Sequence, residues 1–175
     1  MRDALIASLH LNIFARHADR VRMANIAQMV NVLQAMILTD KEKMLLTPTY
    51  HVFRMYLPFQ DATAVPVTFD AGTYTHGDIT LPRVDAIAAR DAAGTVWLAI
   101  ANVDPTRPVE VDARLTGINA TSASGETLTG AAIDSVNTFE APNTVVPKPI
   151  TATVKGDRIS VTLAPKSVTV LAVRK

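Results

Sequence analysis

The chain has 175 residues, 49% of them apolar, and its 17 basic and 16 acidic side chains leave a formal charge of +1. That length and apolar share suffice for a packed core and exclude wholesale disorder, and the lack of a basic block argues against a nucleic-acid or membrane-surface partner. With no cysteine present, a disulfide, a thiolate metal site and a cysteine nucleophile are all excluded.

The first residues, MRDALIASLHLNIFARHAD, lack the basic start, unbroken apolar stretch and small-residue cleavage site of a secretory signal. Apolar runs fall far short of the roughly 20 residues that a membrane helix needs. The expectation is a soluble, cytoplasmic protein.

Residues 3–18 carry Leu5, Ile6, Leu9, Ile13 and Phe14 at helical spacing, with Asp3 in the first turn and Arg16, His17 and Arg20 toward the end. This predicts a helix that packs on more than one face. Residues 20–38, RVRMANIAQMVNVLQAMIL, follow without a helix start signal and are apolar enough for a buried strand or a buried helix. Periodicity does not separate the two. Asn25 and Gln28 stand out there, because an unpartnered buried amide costs about 1–3 kcal/mol. PTYHVFRMYLPFQ (48–60) predicts a second helix, with Pro48 at its first position, Val52, Phe53 and Tyr56 as an apolar stripe, and Pro58 ending it.

After Gln60 the composition turns to Thr, Gly, Pro and Asp, as in a linker entering a β region. VEVDARL (109–115) places Val109, Val111, Ala113 and Leu115 inward, with Glu110, Asp112 and Arg114 outward. RISVTLA (158–164) does the same with Ile159, Val161 and Leu163. TVWLAIANV (95–103) and SVTVLAV (167–173) are apolar on both faces and read as central strands. Gly94, Gly156-Asp157 and Pro165-Lys166 mark turns. Short strands at this spacing indicate a β-sandwich.

No catalytic motif is complete. His10, His17, His51 and His76 form no HExxH, and no G-x-S-x-G, Walker loop or G-x-G-x-x-G occurs. Glu42, Glu110, Glu126 and Glu140 read as solvated carboxylates, His10 and His17 as packing or capping residues. Trp97 offers a sugar-stacking plane, but its place in an apolar strand favours core packing.

RHADRVRMANIAQMVNVLQAMIL followed by TPTYHVFRMY resembles the end of the catalytic barrel of the α-L-arabinofuranosidases of glycoside hydrolase family 51. LPRVDAIAARDAAGTVWLAIANVDP, NTFEAPNTVVPK and LAPKSVTVLAV resemble that family's C-terminal sandwich, in the same order. The resemblance implies a mixed fold: residues 1–62 as the C-terminal end of a (β/α)8 barrel, and 63–175 as a jelly-roll-like β-sandwich. Residues 3–18 would be the seventh barrel helix and 21–28 the eighth strand. Gln28 would then lie at the C-terminal end of a barrel strand, where this fold builds its active sites. The family uses the glutamine of this motif to bind the arabinofuranose ring, so the resemblance makes Gln28 substrate-binding and Asn25 a structural amide.

The same family hydrolyses terminal α-L-arabinofuranosyl residues of hemicellulose oligosaccharides by a retaining mechanism, without metal or organic cofactor. Its two catalytic glutamates stand about 5–5.5 Å apart, in N-E and D-E-W motifs that are missing here. The chain starts inside what the family pattern treats as an internal helix. The expectation is therefore a C-terminal portion, silent as a catalyst by itself, whose barrel segment (3–60) is poorly supported beside the sandwich. Two other readings remain open: a non-catalytic sandwich module for packing or homo-oligomeric assembly, and a subunit completed by a separate N-terminal chain.

Overall fold

In a computed structural model, which describes residues 1–175, the chain opens with helix α1 (Arg2–Arg16). Asp3 in its first turn and Arg16 in its last oppose the helix dipole. The buried face is Ala4, Leu5, Ser8 and Asn12, which follow one another at helical spacing along a single stripe. Ile6, Ile13 and Phe14 are left 37–44% exposed, so the expected packing on more than one face is met on one side only. The inward side is chosen by Ser8 and Asn12, whose polar atoms find partners there. The bulky apolar side has nothing in this chain to cover it.

The strand expected over 21–28 does not form. Residues 18–36 carry no helix or strand apart from one isolated parallel bridge, Val30 to Ile37. Met23, Met29 and Leu33 are exposed at 75%, 55% and 95%, and Asn25 and Gln28 are exposed as well. Asn25 is thus no buried structural amide in this chain. The physical reason is the lack of neighbours. A strand holds its backbone groups only by pairing, and no other strand of the chain runs alongside this one.

A hairpin of β1 (Ile37–Asp40) and β2 (Lys43–Leu46) comes next, with Lys41 at positive φ in its turn. Helix α2 (Pro48–Met55) starts as expected with Pro48 in its first turn, and the Thr47 hydroxyl accepts a bond from Tyr50 N as its cap. It buries Val52 and Met55, and a short 3₁₀ turn (Leu57–Phe59) closes the segment at Pro58.

The remaining strands are β3 (Thr63–Val65), β4 (Thr73–His76), β5 (Ile79–Pro82), β6 (Val84–Arg90), β7 (Val96–Asn102), β8 (Val109–Arg114), β9 (Ser122–Leu128), β10 (Lys148–Lys155), β11 (Arg158–Leu163) and β12 (Ser167–Arg174). β4 and β5 pair only with each other. The other eight form one antiparallel sheet in the order β3-β6-β7-β12-β9-β10-β11-β8. The sheet folds over at β10, whose first half pairs with β9 and whose second half pairs with β11. Val109, Ile159, Val161 and Leu163 thereby meet Val84, Val96, Ile100, Leu171 and Val173 across one core. This is the predicted β-sandwich. β7 and β12 are its central strands, and the inward and outward residues of β8 and β11 are those expected.

The other face of the sheet carries the helices. Met1, Ala4, Leu5, Val52, Met55 and Tyr56 share a core with Ile87, Ala99, Ala101, Leu128, Val145, Val168 and Val170. The segment 3–60 is therefore not loosely appended, because both of its helices lie in that core. A buried chain of hydrogen bonds runs through the junction. Ser8 Oγ and the Tyr56 hydroxyl lie 2.8 Å apart, and Tyr56 donates to Asn12 Oδ1 at 2.8 Å. Asn12 Nδ2 in turn donates to Asp85 Oδ2 on β6 at 2.8 Å, and Arg16 reaches Asp85 Oδ1 at 2.8 Å. Burial pushes the Tyr56 phenol well above its ordinary pKa, so it stays a donor at every accessible pH.

Tyr56→Phe should leave the buried Asn12 carbonyl without a donor, at a cost of about 1–3 kcal/mol. Urea unfolding would show it as a lower midpoint with an unchanged slope, and an unchanged midpoint would show the network to be dispensable. A second consequence concerns His51 on α2, which is buried with both ring nitrogens unpartnered. Burial, reinforced by the Arg54 cation and opposed by Glu126, lowers its pKa below the ordinary histidine value of about 6.5. Protonation then favours the unfolded chain, so the stability held above pH 6.5 is lost as pH falls through that value. Between about pH 7 and 5, the stability of His51→Leu should decline less steeply than that of the parent chain; parallel curves would contradict the assignment.

Candidate functional site

Gln28, the one residue that the family resemblance puts in a substrate-binding role, sits at the end of the unpaired stretch 21–28 and directly before a loop that is well held. The loop closes on itself. Met29 O accepts from Met36 N at 3.0 Å and from Ile37 N at 3.1 Å, and Ala35 N donates to Val32 O at 3.0 Å. Asn31 and Gln34 take positive φ (55° and 60°) to make the bends. The Asn31 side chain then clasps the first strand of the hairpin, donating to Thr39 Oγ1 and accepting from Thr39 N, both at 2.8 Å.

Two further residues tie this loop to the body of the protein, and the sequence reading did not single them out. Thr47 donates through Oγ1 to Ala35 O at 2.7 Å and through its backbone N–H to Met36 O at 3.0 Å, while capping α2. Asn137, 5% exposed in the long connection between β9 and β10, donates to Leu46 O at 2.8 Å and to Val145 O at 3.1 Å. It also accepts from Val145 N at 2.7 Å. A threonine before a proline-initiated helix is a legible cap signal. Nothing in the local sequence marks Asn137, because its partners lie 91 residues away at Leu46 and 8 away at Val145. The exit from Gln28 is thus fixed through α2 and the sandwich, although the stretch before it is not.

No catalytic pair stands beside this loop. Glu42 lies exposed in the hairpin turn, Glu110 on the outer face of β8, and Glu140 in a loop. Glu126 is held by Arg54 at 2.7 Å. His17 forms the C-cap of α1, the capping role expected of it, whereas His10 is exposed in the middle of that helix, its Nδ1 2.8 Å from Ile6 O, and neither packs into a core nor caps. Asp104 is buried at the end of β7 and serves structure. Burial alone would raise its pKa, but bonds from the Thr106 and Arg107 backbone and from the Arg107 guanidinium outweigh that and hold it well below the usual carboxylate range. Trp97 is half-buried at the margin of the helix-facing core, with Nε1 donating to Asp91 Oδ2 at 2.8 Å.

Comparison with known proteins places the chain in a family. The family described as the α-L-arabinofuranosidase C-terminal domain matches residues 1–167. An intracellular exo-α-L-arabinofuranosidase of Bacteroides ovatus is 44% identical over 150 residues, which is 85% of this chain and 29% of that protein. An intracellular exo-α-(1→5)-L-arabinofuranosidase of Streptomyces lividans is 28% identical over 94% of this chain and 25% of its own length. The crystal structure of the family 51 arabinofuranosidase from Xanthomonas axonopodis pv. citri superposes with a TM-score of 0.95 at 45% identity, covering 98% of this chain and 35% of that one. The arabinose complex of the Thermotoga maritima enzyme gives 0.85 at 28% identity, over 98% and 38%. The chain thus spans about a third of the length of such relatives, and it belongs to the family 51 α-L-arabinofuranosidases, of which it is the C-terminal portion.

Proposed function

We propose that this chain is the part of a retaining, cytoplasmic α-L-arabinofuranosidase that supplies the glycone-binding glutamine, and that it does not turn over substrate by itself. The observation that carries the reading is the self-closed loop after Gln28, anchored by Thr47 and Asn137. A segment that feeds through such a loop into a helix has the order of a barrel strand, its βα loop and the following helix. In that order Gln28 falls at the catalytic end of the strand. The exposed Ile6, Ile13 and Phe14 of α1, with Met23, Met29 and Leu33, supply the apolar surface that barrel neighbours would cover.

Residues 1–62 accordingly serve as the end of the barrel and 63–175 as the sandwich that backs it. The reaction is hydrolysis of terminal α-L-arabinofuranosyl residues from oligosaccharides, a class that fits the names of the relatives. The neutral Gln28 amide donates to and accepts from sugar hydroxyls without altering the charge around the two carboxylates. Those carboxylates come from sequence that precedes this portion, since a retaining mechanism needs both and an amide replaces neither.

The test joins this chain in register to the preceding part of the Bacteroides ovatus relative. The chain alone should give background rates on an aryl α-L-arabinofuranoside, and the fusion should hydrolyse it. Gln28→Ala in the fusion should lower kcat/KM by about 1–3 kcal/mol, the scale of a lost buried hydrogen-bonding group, with an unmoved pH profile. Full activity of that variant would make the glutamine structural. Turnover by the isolated chain that survives Gln28→Ala would overturn the division of labour.

A further inference from the structure

The two helices leave one end of their face of the sheet uncovered. Register places Trp97 of β7 opposite Ala172 of β12, Ala172 opposite Ser124 of β9, and Ser124 opposite Thr151 of β10. Side chains directly opposite one another share a face, so these four form one row across four strands. Strands lie about 4.8 Å apart, and the row spans about 14 Å. Glu126 stands one row to one side, beneath Arg54 of α2, and Arg174 one row to the other. Together they line an open cleft of about 440 Å³.

The chemistry of the cleft is specific. Its aromatic plane is Trp97, the only tryptophan of the chain, and the indole N–H is already used by Asp91. What the half-buried ring offers is the part of its apolar surface that lines the cleft. The accessible floor is small and hydroxylated, from Ser124 and Thr151, over a buried Ala172. The rim supplies a carboxylate acceptor and guanidinium donors side by side, in the Arg54–Glu126 pair at 2.7 Å with each partner 40% exposed. Arg174 adds donors and belongs to none of the chain's ion pairs.

An aromatic plane with mixed donors and acceptors around a shallow trough suits a ligand that is apolar on one ring face and hydroxylated at its edge. Ring C–H groups carry partial positive charge that the negative face of an indole attracts, while vicinal hydroxyls both donate and accept. Glu126 is already neutralised by Arg54, so that pair offers a ligand no net charge, and a wholly apolar ligand would strand the rim groups without partners. We propose that this cleft binds a neutral oligosaccharide, stacked on Trp97 and hydrogen-bonded along Ser124, Thr151, Glu126 and Arg174. The arabinofuranosyl identity of that oligosaccharide rests on the proposed function; the neutral sugar class rests on the cleft itself.

Because Trp97 is the sole tryptophan, its emission reports the site directly. The whole chain is titrated with α-(1→5)-linked arabinotriose and, separately, with xylotriose. The expected result is a saturable change in Trp97 emission with at least one of them. Affinity should fall roughly tenfold in Ser124→Val and in Arg174→Ala. Saturation with xylotriose alone would support the cleft while contradicting the arabinofuranosyl reading. No change with either sugar through the millimolar range, in a chain shown to be folded by circular dichroism, would overturn the proposal. Curves unaltered by both cleft variants would overturn it as well.

Discussion

The structure depends on one buried polar junction, in which Tyr56 from the end of α2 donates to Asn12 of α1 and Asn12 donates to Asp85 of β6. Each of these groups would be costly to bury alone. Together they are satisfied in a single arrangement of helix, helix and sheet, so the junction sets the angle at which the helical layer meets the strands. Met1, Leu5, Val52 and Met55 then pack against Ala99, Leu128, Val168 and Val170 around it. Apolar contacts supply most of the driving force, and being non-directional they tolerate sliding. The hydrogen-bonded chain does not.

That junction explains how a loop on the helical side can be ordered by the sandwich. Thr47 starts α2 and holds the Ala35 and Met36 carbonyls, and Asn137 reaches from the β9–β10 connection to the Leu46 carbonyl. Position is thus passed from the sheet through α2 and Asn137 to the residues just after Gln28. The sandwich thereby holds the loop that follows Gln28.

Much of the sandwich was legible in the sequence because its evidence is local. The alternation in 109–115 and 158–164 is a two-residue period, and the doubly apolar 95–103 and 167–173 can only be central. β9 and β10 were not legible. SASGETL is small, polar and interrupted by Gly125, and β10 opens on Lys148-Pro149. Both are strands because paired neighbours flank them, which no local pattern shows. The helix α1 was legible as a helix but not as to its inward face. Ser8 and Asn12 look like surface residues until Tyr56 and Asp85, 44 to 73 positions away, provide partners. The segment 21–28 failed in the opposite sense. Its composition predicts burial that only strands from elsewhere can provide. Gln28 came from family resemblance, and spacing alone would not have found it.

Native-state hydrogen exchange is the most direct test of whether helices and sheet are one cooperative unit. If the Tyr56–Asn12–Asp85 junction joins them as described, amides in the middle of α1 and α2 should open with the same free energy as those of β7 and β12, while 22–28 exchanges freely. Exchange of α1 and α2 through a separate, lower-energy opening that leaves the strands protected would contradict that unity. The helical segment would then be a loosely held appendage of the sandwich.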